Sequence, residues 1–81
     1  MRNHRPVSPF PLTAQDQEKF AQHVESTDNY IRQQRPFAFD VAFHESDSAD
    51  LVEAIRYHYN QRGWCVMHQR IEDGNRKLFF Q

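Results

Sequence analysis

Eighty-one residues with a formal charge of −1 and a mean hydropathy of −0.92 describe one polar domain, with a thin core supplied at few positions by seven Phe, three Tyr and one Trp. The charge balance excludes nucleic acid held by overall attraction and leaves only a local basic patch for that role. A single cysteine, Cys65, excludes an intrachain disulfide, and no apolar run has the length of a signal peptide or a membrane span, so a cytoplasmic protein is the expectation.

Pro6, Pro9 and Pro11 mark residues 1–12 as an extended arm, because proline at that density favours polyproline or irregular backbone. Its apolar residues Phe10 and Leu12 are expected either to lay the arm across the domain or to dock it on a second copy as a homodimer. The domain proper runs from 13 to 81. Thr13 is placed to cap a helix, with Asp16 and Glu18 at its positive end. Phe20, Val24 and Ile31, flanked by Ala21 and Tyr30, recur along one face. The weak helix formers of "ESTDN" (25–29) predict a break, and Pro36 predicts that Arg35 lies outside the helix.

"PFAFDVAFH" alternates strictly and predicts a strand that turns Phe37, Phe39, Val41 and Phe43 to a core, with Ala38, Asp40, Ala42 and His44 opposite. A second helix is expected from about Asp47 to Arg62. Asp47 or Ser48 caps it, Asp50 and Glu53 lie near its start, Leu51, Ile55 and Tyr59 share its inner face, and Gly63 is the C-cap residue.

The closing segment "RGWCVMHQRIEDGNRKLFFQ" reads as a hairpin turning on Asp73-Gly74. A two-residue loop there pairs Met67 with Phe80. One face then holds Cys65, Met67, Gln69 and Ile71 with Leu78 and Phe80, and is taken as the core side. The outer face holds Trp64, Val66, His68 and Arg70 with Lys77 and Phe79; a three-residue loop with a bulge swaps the partners of the last strand. The expected architecture is α+β, in the order helix, strand, helix, strand, strand. The favoured order puts the last strand between the other two in a three-stranded, mostly antiparallel sheet, with the helices on one face; direct parallel pairing of the first and second strands is the alternative.

The chemistry-bearing residues do not form a catalytic or metal pattern. Cys65 and His68 have a ligand-like gap but alternate across a strand, and neither CxxC nor HExxH occurs. Asp40 and His44 share a face at about 13 Å. Ser46 and Ser48 read as capping residues, and neither glycine belongs to a phosphate loop. No cofactor or metal is expected. The outer hairpin face, with Trp64, His68, Arg70, Lys77 and Phe79, is the candidate binding surface: aromatic rings can stack bases while basic groups meet phosphates. The acidic start of the second helix answers to the helix dipole.

The helix running into "RGW", the alternating strand, "DGN" and the final strand resemble the compact α+β accessory proteins encoded by bacteriophages, over residues 46–81. That resemblance implies action by binding a host protein or a nucleic-acid machine. The first reading is therefore a non-enzymatic binding or regulatory protein that acts through contact with a protein partner. The alternative is a single-stranded nucleic-acid-binding module using the outer hairpin face, and an enzyme comes third.

Overall fold

The structure is a computed structural model that describes residues 10–69 and 75–81. Its elements are α1 (Ala14–Gln34), β1 (Phe39–Phe43), α2 (Ala49–Asn60), β2 (Val66–His68) and β3 (Arg76–Phe80). The sheet has the order β1-β3-β2, and β3 is antiparallel to both neighbours, the favoured of the two expected arrangements. Both helices cover one face of it. The core joins Phe20 and Val24 of α1 and Leu51, Ile55 and Tyr59 of α2 to Phe43, Val66, Leu78 and Phe80 of the sheet.

Thr13 caps α1 by accepting from the Asp16 N–H at 3.1 Å. The helix does not break at 25–29, contrary to its local propensity. Tertiary bonds hold that stretch: Thr27 is buried, and the Tyr59 hydroxyl lies 2.7 Å from Asp28 Oδ1 and 3.1 Å from the Val24 carbonyl. Burial, together with the Asp28 hydrogen bond, pushes the Tyr59 phenol far above its ordinary pKa, so it stays a donor. The helix ends where Arg35 takes a left-handed φ of 46° before Pro36.

Ser48, not Asp47, caps α2, accepting from the Leu51 N–H at 3.1 Å, and its hydroxyl donates to Asp16 Oδ2 at 2.8 Å. The C-cap is Gln61; Gly63 lies two residues further on with φ 97°, a conformation that strains any side chain. Phe10 and Leu12 pack against this chain's own core, Phe10 edge-on to Tyr57 at 6.0 Å, so the arm's two apolar anchors are engaged within the molecule.

Two expectations about faces are corrected. Phe37 is 98% exposed, because the strand begins only at Phe39, after a bend at residues 37–38. In the hairpin, Met67 pairs with Phe79 and His68 with Leu78, one residue away from the register that a two-residue Asp73-Gly74 loop needs; the turn itself lies outside the described residues. A slip of one residue turns a strand over. Val66 is therefore buried opposite Phe80, while Cys65 and Met67 are exposed. Leu78 and Phe80 do face the core, as expected.

Candidate functional site

The direction of the backbone groups at each sheet edge follows from the ladder, because successive residues of a strand bond to opposite sides. Cys65 and Gln81 exchange both backbone hydrogen bonds, at 2.8 and 3.0 Å, and the Gln69 N–H donates to the Lys77 carbonyl at 2.9 Å. Lys77, Phe79 and Gln81 thus bond toward β2. Arg76, Leu78 and Phe80 bond toward β1, opposite Phe43, Val41 and Phe39. The N–H and C=O groups of Asp40 and Ala42 consequently point away from the sheet, and among the described residues nothing pairs with them. The edge is closed only beyond β1, where Asp47 accepts from the His44 N–H at 3.0 Å and donates its own N–H to the His44 carbonyl at 2.9 Å.

At the opposite edge, side chains of α2 engage Val66, while the backbone groups of His68, which also face outward, have no partner among the described residues. Asn60 Oδ1 accepts from the Val66 N–H at 2.9 Å, and Arg56 Nε donates to the Val66 carbonyl at 3.0 Å.

A groove of about 470 Å³ lies between α1 and the open edge, lined by Thr27 and Tyr30 on the helix and by Phe39 and Val41 on the strand. Rings span its base, with Tyr30 and Phe39 at 5.1 Å and His23 and Phe43 at 4.8 Å. Through His23 and Ser26 it continues into a polar hollow of about 510 Å³ that also takes in Lys19, His44 and Asp47. Lys19 Nζ donates to Asp47 Oδ1 at 3.1 Å, so both oxygens of this buried carboxylate are engaged. The Ser46 N–H donates to His44 Nδ1 at 3.1 Å, which leaves the proton of the neutral ring on Nε2. Burial lowers the pKa of His23 below that of a free imidazole, against the opposing pull of Asp47 and helped by Lys19.

The residues expected to form one outer binding face are divided. Lys77 and Phe79 do lie on the uncovered face, beside Met67 and Ala42. Trp64 instead packs edge-on to Phe39 at 5.3 Å and Phe80 at 6.1 Å. His68 shares the side of Leu78 and hydrogen-bonds to Glu53 of α2. Arg70 lies outside the described residues. Asp40, whose Oδ1 accepts from Gln69 Nε2 at 2.8 Å, adds a negative charge to the same face. The groove residues Lys19, His23 and His44 were missed by sequence reasoning, since no fixed spacing joins a helix to a strand end more than twenty positions away. Small Ala38 and Ala42 marked only a thinly covered sheet face, not the open edge beside which these residues lie.

Among the described residues no group of three or more His, Cys, Asp or Glu is gathered to hold a metal ion, and no helix is long and apolar enough to cross a membrane. Comparison with protein-family models, curated proteins and solved structures finds no match to the chain.

Proposed function

We propose that this is a small non-enzymatic binding protein acting through protein–protein contact, and that the contact is made by adding an extended segment of the partner to the open edge of β1. The observation that carries this reading is the outward backbone groups of Asp40 and Ala42, unpaired among the described residues, beside an apolar groove, in a sheet whose other edge is bonded by α2 at Val66. Strand addition uses such a combination: main-chain bonds supply affinity, and a neighbouring groove selects side chains. Natural sheets protect edges with lysine, proline or a bulge, and the segment Phe39–Phe43 has neither lysine nor proline. Both hollows open to solvent, which suits docking better than a reaction needing exclusion of water. A cytoplasmic accessory protein of the bacteriophage kind would work in this way.

The second reading, a single-stranded nucleic-acid platform, keeps Phe79 and Lys77 side by side on the uncovered face, but Asp40 stands among them and opposes phosphate. One comparison tests both. A random decapeptide display library is panned against the unmodified protein and against Ala42→Pro, which removes the outward N–H while leaving the bonds to β3. A labelled mixed-sequence oligonucleotide is titrated in parallel near physiological salt. Peptides that bind the unmodified protein and not the folded Ala42→Pro variant, with no oligonucleotide binding, are the expected result. Micromolar oligonucleotide binding abolished by Phe79→Ala would overturn it.

A further inference from the structure

We infer that the segment received at β1 pairs an apolar side chain with an anionic one, a carboxylate or a phosphate. The apolar side chain enters the groove at Tyr30, Phe39 and Val41, and the anion enters the hollow at Lys19, Ser26 and His44. This rests on the reading of β1 as the docking edge.

The charge and donor pattern of the hollow selects the anion. Asp47 is the one acidic residue that lines it, and its two oxygens are already taken by Lys19 and by the His44 backbone. The Lys19 ammonium has three protons, of which Asp47 uses one. His44 is exposed at the hollow with Nε2–H as its remaining donor, and the exposed Ser26 hydroxyl has no partner among the described residues. The unsatisfied capacity of the hollow is therefore mainly donor capacity around a cation, and donors beside a positive charge favour an ionised acceptor. Glu45 is exposed next in sequence to His44 but does not line the hollow.

Geometry links the two subsites into one ligand. The apolar groove and the polar hollow share His23 and Ser26, and the hollow follows the groove along α1 just past the end of β1. An extended segment bonded to Asp40 and Ala42 advances about 3.3 Å per residue, with side chains on one face at every second position. The apolar and anionic side chains then stand about two to four residues apart on the face turned to α1. The two hollows are thus read as neighbouring side-chain pockets of one bound strand.

The experiment extends the library panning to Ser26→Glu and to the double variant Lys19→Gln with His44→Gln, each checked for native thermal unfolding. Ser26 is exposed, so Ser26→Glu adds a repelling charge without touching the core or the Lys19–Asp47 pair. Selected peptides should contain an acidic residue about two to four positions from an apolar one. They should bind both variants about tenfold or more weakly, the scale of a charge-assisted hydrogen bond. Each peptide is then remade with glutamine, and separately with phosphoserine, in place of its acidic residue. Glutamine should weaken binding about tenfold. Phosphoserine binding more tightly than the acidic residue identifies phosphate as the ligand, and binding more weakly identifies carboxylate. Peptides that need the open edge, lost with Ala42→Pro, but have no acidic residue or tolerate Ser26→Glu, would overturn this inference and leave the docking edge standing. Peptides indifferent to Ala42→Pro, or no enrichment at all, would overturn both.

Discussion

The two edges of the sheet meet their helices differently, although both belong to short strands beside a helix. At β2, Asn60 and Arg56 reach from α2 and satisfy both backbone groups of Val66, which is buried. At β1, the neighbouring helix α1 stands off across a groove, and the N–H and C=O groups of Asp40 and Ala42 are unpaired among the described residues. The difference lies in what each helix offers. Asn60 and Arg56 sit on the last turns of α2, a few residues before the strand they engage. The facing residues of α1, His23, Thr27 and Tyr30, present rings and a short hydroxyl to the groove. At Val66 the β2 edge is finished structure, whereas the β1 edge with its groove has both bonding and packing capacity left for another chain.

The contrast can be broken most severely from below. Leu51 is wholly buried under the sheet. Leu51→Ala should cost about 2–5 kcal/mol and loosen both edges together, as chemical denaturation would read. A loss of a few tenths of a kcal/mol would mean that Leu51 does not support the sheet.

Asn60→Ala should act on one edge alone. It leaves the Val66 N–H, within a residue only 2% exposed, without its acceptor, at a cost of about 1–3 kcal/mol. Native-state amide exchange gives the sharper reading. In the unmodified protein Val66 should be protected and Asp40 and Ala42 should exchange rapidly; in Asn60→Ala, Val66 should join the fast class while Leu78 stays slow. Slow exchange at Asp40 and Ala42 in the unmodified protein would show that the β1 edge is already covered.

Ala42→Pro should cost about 1 kcal/mol or less, because only an outward, unbonded N–H is removed. Val41→Pro should prevent folding, since the Val41 N–H bonds to β3. Equal damage from both prolines would contradict the assignment of outward groups. Thermal unfolding of the pair is the check.

The smallest effect concerns pH. His23 beside the open groove and His58, whose Nε2 is buried without a hydrogen-bond partner among the described residues, both have pKa values lowered mainly by burial. A histidine kept neutral by the fold binds its proton more readily once unfolded. Stability is therefore complete above the unfolded value of about 6.5 and declines as pH falls from there through the lowered folded values. Thermal midpoints measured from pH 7.5 down to 5 should fall, and His58→Phe should flatten the slope. An unchanged slope would mean that His58 is solvated.

Those outcomes bear on what was legible beforehand. The helices, the strand β1 and the α+β class follow from periodicity, caps and turn residues, because each is a local property, whereas the central place of β3 was only the favoured of two arrangements. The binding face was not legible to the same degree. The expected set of Trp64, His68, Arg70, Lys77 and Phe79 depended on the hairpin register, and "WCVMH" places a large or apolar side chain on either side of the strand. Period-two reasoning has no means to choose between Val66 and Met67 when both fit a core. The choice came from α2, which binds both backbone groups of Val66 and draws its side chain inward.

By itself, then, the sequence determined which segments become helix and strand and which faces of α1, α2, β1 and β3 are apolar, since those are written in spacing along one element. The tertiary structure decided which way β2 turns, that α1 runs unbroken through a weak stretch held by Tyr59, and that β1 keeps an unpaired edge next to Lys19, His23 and His44. Those outcomes depend on side chains from distant segments meeting a given backbone group or leaving it bare, and no local pattern encodes such a meeting.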